Sequence, residues 1–297
     1  MQIQTNSQRK EVKEHGTYSF PVMVSYETLN AYENASFFWH WHPEIELTLI
    51  LEGDIQYQIQ EHLYHLHAGQ GIFCNSNMLH TGKRGDSDNC IYISITFHPR
   101  ILYGFESSVI QSKYVTPITE NPNLSSILFL PEVPWQKQIL EEMASIWELS
   151  GNPPDTLELQ LQQRLLSVWG KLCEHVNMSP PDSDSLIRSR LRLHQILSYI
   201  QEHYQEKLTL EEISAQIHLC KSECCRFFKS QMKVSLFQYL LRYRIEQSLP
   251  LLQDTELSIT EIALQTGFSN PCYYGKIFKE EMNCTPRQYR RKTSGSK

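Results

Sequence analysis

Leu208-Thr209-Leu210-Glu211-Glu212-Ile213 with Gln216, and Leu257-Ser258-Ile259-Thr260-Glu261-Ile262 with Gln265, are two versions of one segment set 49 residues apart. Beyond the turn that follows each copy, the match continues at a spacing of 50. There Arg226, Phe228, Lys229, Met232, Ser235, Gln238 and Tyr239 meet Lys276, Phe278, Lys279, Met282, Thr285, Gln288 and Tyr289. A likeness that survives a one-residue insertion in a turn marks a duplicated structural unit. Each copy reads as helix, turn, helix. Thr209 or Ser258 precedes a short apolar-periodic run with an acid three residues on, Glu212 or Glu261, the pattern of a capping box. A turn follows, His218-Leu219 or Gly267-Phe268, and then a second helix over 221–229 or 270–279. Ser269 is a good cap for the second of these; Cys220 is a poor one for the first. The units span about 208–230 and 257–280, inside a C-terminal domain over 188–292.

The second helices have one apolar side, carrying Cys224, Phe227 and Phe228 or Tyr274, Ile277 and Phe278. Their other side is small, polar or basic: Lys221, Ser222, Cys225, Arg226 and Lys229 in one, Asn270, Pro271, Cys272, Lys276 and Lys279 in the other. Such a face suits the major groove of double-stranded DNA. Small side chains let the helix approach base edges, while Lys and Arg reach bases and phosphates. The charge distribution agrees. Up to Asp182 the chain has 10 Lys and Arg against 21 Asp and Glu, and from Ser183 onward 17 against 12, so a basic third is attached to an acidic remainder. A helical repeat that binds another protein is the competing reading.

The order Ile262-Ala263, Gly267-Phe268-Ser269, Tyr273-Tyr274, Lys276, Phe278-Lys279, Thr285-Pro286, Tyr289-Arg290 resembles the signature of the AraC/XylS family of bacterial transcription regulators, over roughly residues 190–292. The resemblance implies two helix-turn-helix units joined by a long helix, about Leu236 to Leu252, which places two recognition helices in successive major grooves. The sequence departs from the pattern in four places. Asn283 and Lys233 replace the Gly expected before Thr-Pro and its counterpart, His218 stands for Gly in the first turn, and Cys220 stands for Ser. Asn accepts positive φ, whereas Lys there costs about 1 kcal/mol.

The N-terminal part, residues 1–130, reads differently. Short strands at Phe20–Tyr26, Phe37–His42, Glu46–Leu51, Ile55–Gln60, Gly71–Cys74 and Cys90–Phe97 are separated at Pro43, Gly53-Asp54, Ala68-Gly69 and 82–89, the rhythm of a β-sandwich or small barrel. His40-x-His42-x3-Glu46-x6-Gly53 and Gly69-x5-Asn75-x-Asn77-x2-His80 resemble the two motifs of the cupin β-barrel superfamily, with Asn75 and Asn77 in place of Pro and Gly. In cupin enzymes the positions of His40, His42, Glu46 and His80 hold a metal, because imidazoles two apart on a strand face one side and converge with a carboxylate. That makes a metal-dependent cupin oxygenase or isomerase, fused to a helical module, the alternative function. The same pattern also belongs to sensor domains that bind small molecules without chemistry. The expectation is therefore an effector pocket lined by Phe38, His40, His42, Glu46 and His80, with no metal, no cofactor and no catalysis, and a polar effector such as a sugar.

From Trp135 the period becomes helical. Ile139, Met143, Ile146 and Trp147, then Leu157, Leu161, Leu165, Leu166, Trp169 and Leu172, flank a break at Gly151–Pro154. Residues 131–178 are expected to form a helical connector whose leucine stripe dimerises the protein, followed by a Pro/Ser/Asp-rich linker at 179–187. The eight cysteines include no C-x-x-C pair, and no window approaches ~18 consecutive apolar residues. The expectation is an α+β protein of two domains, a cupin-like β-barrel with connector helices and an all-α double helix-turn-helix. It is read as a cytoplasmic activator of transcription away from membranes. Its expected partners are double-stranded DNA, a small-molecule effector, a second copy of itself and RNA polymerase.

Overall fold

The computed structural model describes residues 2–6, 9–121, 123–176, 184–254 and 256–294. The chain divides into two compact units, Met1–Ile187 and Arg188–Lys297. The first unit is a barrel of eight strands, β1 (Val22–Thr28), β2 (Ser36–His40), β3 (Ile45–Ile59), β4 (His62–His67), β5 (Gly71–Cys74), β6 (His80–Arg84), β7 (Cys90–Phe97) and β8 (Ser126–Phe129). Short helices α1 (Arg100–Tyr103) and α2 (Thr116–Thr119) precede β8, and two long ones follow it, α3 (Pro134–Gly151) and α4 (Leu157–His175).

The two strands expected at 46–51 and 55–60 are one, β3, and the expected break at Gly53-Asp54 is a bend within it. Its first half pairs with β7 and β5, in a sheet ordered β1-β7-β3-β5-β8, and its second half pairs with β4 and β6. The register slips between Ile50 and Glu52, and Gly53 adopts φ +74°. A slip of one residue exchanges the faces of a strand. Before it, Ile45, Leu47 and Leu49 face one core while Glu46, Thr48 and Ile50 face the barrel interior. After it, Ile55, Tyr57 and Ile59 face that interior. The bulge thus brings Glu46 and Tyr57 onto one side. The expected break at 82–89 also shrinks, because β6 extends to Arg84.

The leucine stripe is not free to dimerise. Leu161, Leu165, Trp169 and Leu172 of α4 lie in one buried core with Ile139, Met143 and Ile146 of α3 and with Ile45, Leu47, Ile93 and Ile95 of the sheet. The sheet needs this cover because the outward face of β3 and β7 carries Ile45, Leu47, Leu49, Ile93, Ile95 and Phe97. The helices assigned to a connector are a layer of the sensor unit, and α4 leaves only Leu159 and Leu166 of its leucines well exposed. Of the expected linker, 179–183 lies outside the described residues, while Asp184 onward is already helical, in α5 (Asp184–His203).

The second unit continues with α6 (Leu210–Gln216), α7 (Lys221–Met232), α8 (Leu236–Asp254), α9 (Ile259–Gln265), α10 (Pro271–Met282) and α11 (Pro286–Ser294). The long helix α8 packs against α7, α9, α10 and α11. Both capping boxes are present: Thr209 and Ser258 accept from the Glu212 and Glu261 amides, whose carboxylates accept from the cap amides at 2.7 Å. His218 (φ 53°) and Gly267 (φ 84°) hold the left-handed turn position in the two copies, and Lys233 (φ 57°) and Asn283 (φ 52°) hold the left-handed residue that ends the second helix. Only Gly267 is required by space as well as by φ, since a Cβ there would stand 2.5 Å from the Tyr204 carbonyl oxygen. Lys233 carries a Cβ at a position that suits Gly, so Lys233→Gly is expected to stabilise the second unit by about 1 kcal/mol. Urea unfolding followed by circular dichroism should show its midpoint rise with unchanged slope.

Candidate functional site

On α7 the residues Lys221, Ser222, Cys225, Arg226 and Lys229 are all exposed, and Cys224 and Phe228 are buried beneath them. Phe227 is only half-buried, as is Ile277 on α10. Lys221 forms an ion pair with Glu211 of α6, and Glu223 takes a hydrogen bond from the Cys220 amide at 3.4 Å. The carboxylate therefore satisfies the Cys220 amide, one half of a capping box, while the Cys220 thiol remains a weak acceptor for the other half. Arg226 makes no hydrogen bond or ion pair among the described residues, which leaves its guanidinium available to a ligand.

On α10 the cap falls one residue later than expected. Asn270, not Ser269, caps the helix, its Oδ1 accepting from the Cys272 amide at 2.8 Å and the Tyr273 amide at 3.3 Å. Pro271 occupies the first helical position, where a missing amide proton costs nothing. Ser269 is thus the inserted residue that moves the repeat from 49 to 50. Cys272, Lys276 and Lys279 are exposed and Pro271 is half-buried. Lys276 Nζ lies 3.8 Å from Glu280, one turn on. Tyr273, 45% exposed beside Cys272, also belongs to this face, although the sequence reading assigned it to neither side of the helix.

In the barrel, His40, His42, Glu46 and His80 come together, all buried, with one donor atom from each within 4.8 Å of the others. Phe38 is not with them. Its carbonyl takes the His40 Nδ1 proton at 2.9 Å, and the ring that meets the imidazoles is that of Phe37, 5.5 Å from His40 and 6.5 Å from His80. Alternation along a bulged strand end misassigned the two. Asn77, in the place of Gly, adopts φ 60°, and Asn75 donates to the carbonyls of Ile118 and Leu124 at 2.8 Å, so both substitutions keep the turn before β6.

The hydrogen bonds fix the tautomers. Nδ1 of His40, His42 and His80 lies 2.9, 3.2 and 2.8 Å from the carbonyl oxygens of Phe38, Glu44 and Met78. A carbonyl only accepts, so each Nδ1 carries a proton and each Nε2 turns inward. Glu46 is held from behind by Thr48 Oγ1 (2.9 Å) and Tyr57 OH (3.3 Å) on Oε1, leaving Oε2 3.2 Å from His42 Nε2 and 3.6 Å from His80 Nε2. At that distance His80 Nε2 is buried without a hydrogen-bond partner. Burial pushes the Glu46 carboxyl up, but His42 and His80 outweigh it and hold it well below the usual carboxylate range. Burial, then His80 and His42, hold His40 well below an ordinary imidazole. Burial lowers the His80 pKa, but Cys74 and Glu46 outweigh it and hold it well above an ordinary imidazole, so positive charge already faces Glu46 in this dry space. Three imidazole nitrogens and one carboxylate oxygen, each oriented from behind, fit a divalent transition-metal ion, for which they would be the ligands.

The histidines of β4 have other partners. Asp54, beside His65 and His67, accepts from the Ser87 amide at 2.8 Å, the Asp86 amide at 3.1 Å and the Ser87 hydroxyl, which commits its carboxylate to bracing the turn before β7.

Comparison with known proteins assigns both units. Residues 28–142 match the family described as AraC-like ligand binding domain, and residues 213–292 match a helix-turn-helix domain. An uncharacterized HTH-type transcriptional regulator, YdeC of Bacillus subtilis (strain 168), is 34% identical over 285 residues, covering 96% of this chain and 97% of that protein. The chain belongs to the AraC/XylS family of transcription regulators. Within it, the melibiose operon regulatory protein of Escherichia coli (strain K12) is 24% identical over 260 residues, covering 85% of this chain and 83% of that one. Among solved structures, ToxT from Vibrio cholerae aligns over 91% of this chain and 97% of its own at 16% identity and a TM-score of 0.45. As a member of the family, the chain combines an AraC-type ligand-binding barrel with an AraC-type DNA-binding unit. No described helix is long and apolar enough to cross a membrane.

Proposed function

We propose that this chain is a cytoplasmic, sequence-specific activator that binds double-stranded DNA through Ser222, Cys225 and Arg226 on α7 and Cys272, Tyr273 and Lys276 on α10. Lys221, Lys229 and Lys279 add phosphate contacts, Asn270 and Pro271 set the start of the second reading helix, and the protein performs no chemistry on its ligand. The observation that carries this reading is the duplicated helix pair, in which each second helix buries an aromatic side and exposes a small, basic one. Neutralising several phosphates releases counterions, so log affinity should fall linearly with log salt, with slope about −0.9 per phosphate contact. Titration of a selected DNA site from low to physiological salt tests it; binding that ignores salt would count against this face.

The effector is proposed to sit beside the histidine cluster and not within it. Donors this close enclose a space of ionic size, whereas an open cavity of about 600 Å³ lies next to them, with Lys10, Glu11, His15, Glu44, His98 and Arg100 among its walls. That volume suits a small polar organic molecule. His15 ties this wall to the cluster, its ring 4.8 Å from that of His42. Burial lowers the His15 pKa, but Glu11 and Glu44 outweigh it and raise it to about 9, so the wall carries a cation at neutral pH. A sugar is the first candidate, given this polar lining and a relative named for the melibiose operon. Regulation then requires only that the effector bind one arrangement of the protein more tightly than another. A sugar panel scored by thermal shift, with His98→Ala as the control that should lose the response, tests the placement.

A second copy of the chain and RNA polymerase complete the proposed partners. With most of the leucine stripe buried, self-association through α4 would rest on Leu159 and Leu166.

A further inference from the structure

Every fully exposed thiol of the chain lies on one of the two proposed reading helices or at its start. Of the eight cysteines, Cys74, Cys90 and Cys224 are buried, Cys173 and Cys284 are half-buried, and only Cys220, Cys225 and Cys272 are exposed. Cys220 precedes α7, its sulfur 3.2 Å from Ser222 Oγ. Cys225 sits at the centre of the exposed face of α7, with Lys221 and Ser222 one turn before it, Arg226 beside it and Lys229 one turn after. Cys272 has a similar setting on α10, with Gly275 and Lys276 one turn on. The repeat aligns Ser222 with Cys272 and Cys225 with Gly275, so each helix fills this pair of positions with one thiol and one other small residue. A Cβ on Gly275 would meet nothing of the surrounding protein within 4 Å, which leaves the space beside Cys272 open.

We propose that Cys225 and Cys272 are modification sites for anionic low-molecular-weight disulfides, and that the mixed disulfide formed there releases the protein from DNA. The proposal rests on the reading of α7 and α10 as the DNA-contacting helices and names how that surface is regulated. The step is thiol–disulfide exchange. The cysteine thiolate attacks one sulfur of the small disulfide, a bond forms between the two as the reagent's own sulfur–sulfur bond breaks, and the departing thiolate takes up the proton that the cysteine gave up. The cysteine sulfur is oxidised and the departing sulfur reduced, so no other reactant is needed, and excess thiol runs the exchange backwards. Charge and exposure choose the reagent and its target. Arg226 and Lys229 on α7 and Lys279 on α10 have no ion-pair partner among the described residues, so both surfaces attract an anion. Cys224, next in the chain to Cys225, is buried and out of reach. The product opposes DNA twice. A tripeptide-sized adduct fills the gap that small residues leave for base edges, and its carboxylates stand where phosphates would.

The experiment uses the full chain, glutathione disulfide and a DNA site selected by the reduced protein. Treated protein is expected to carry glutathione on Cys225 and Cys272 by peptide mass spectrometry, to bind the site roughly 100-fold more weakly, as loss of the base contacts of a helix implies, and to recover with dithiothreitol. Saturating the protein with its site beforehand should slow both modifications, a readout that needs no variant. The double variant Cys225→Ser with Cys272→Ser, compared with its own reduced form, should keep its affinity on treatment. Cys220→Ser should stay as sensitive as the wild type. Wild-type protein that binds equally tightly with both thiols modified would overturn the inference. So would thiols at 225 and 272 that stay free after treatment, modification that bound DNA does not slow, or an affinity loss that persists in the double variant. A reduced wild-type chain that selects no DNA site would sink the reading of the two helices, and the inference with it.

Discussion

Trp169→Ala is expected to destabilise the sensor unit by about 3–5 kcal/mol, the cost of deleting a large aromatic from a core that cannot collapse around the hole. Trp169 is 3% exposed and packs 6.4 Å from Phe73 of β5, and its indole proton is given to the Tyr114 carbonyl at 3.1 Å. Truncation therefore removes an apolar body and one of the donors to the Tyr114 carbonyl, which keeps the Cys173 thiol at 3.6 Å. Because the chain has two units, unfolding should be followed by a probe specific to each. Urea denaturation monitored by near-ultraviolet circular dichroism of the sensor, and by DNA binding for the other unit, should show the first midpoint fall and the second hold. A loss below about 1 kcal/mol, accompanied by a change in sedimentation from dimer to monomer, would mean that the α4 stripe serves self-association and not the core.

Arg226→Ala is expected to cost about 1–3 kcal/mol of DNA affinity and to relax preference at one base pair. The reason is geometric. A guanidinium can grip guanine O6 and N7 together, and the exposed Arg226 is held within the protein only through the field of Glu223 on its own helix. Lys276, its counterpart 50 residues on, is a point charge shared with Glu280 at 3.8 Å. Lys276→Ala should weaken binding evenly across sequences and flatten the salt dependence by about one phosphate. Competition binding over single-base variants of a selected site separates the two behaviours. An Arg226→Ala protein with unchanged base preferences would place Arg226 on phosphate or away from the interface.

Much of this was legible in the sequence because repetition is legible. The helix-turn-helix pairs show themselves through spacing, cap residues and apolar periodicity, all local properties of the chain. The cap of α10 was misplaced by one residue because both Ser269 and Asn270 can cap, and only the proline that follows Asn270 decides between them. Partners distant in sequence were harder to read. The run Ile45–Ile50 alternates Ile45, Leu47 and Leu49 with Glu46 and Thr48, and nothing in it says that its apolar face is covered by α3 and α4. His40, His42, Glu46 and His80 were found by their pattern, while the residues that orient them were not. Thr48 and Tyr57 reach Glu46 only because a bulge exchanges the faces of β3, and Glu11 reaches His40 only because an arm 29 residues away pairs beside Trp41. The carbonyls that fix each Nδ1 are backbone atoms, invisible to any motif.

Selection of bound fragments from a genomic DNA library by the purified full-length protein is the most direct test of the central claim. The account predicts enrichment of one site containing two short motifs about one helical turn apart, since the two reading helices α7 and α10 lie on the same long helix α8. Fragments recovered without a shared sequence would contradict it and return the metal-dependent barrel enzyme to first place.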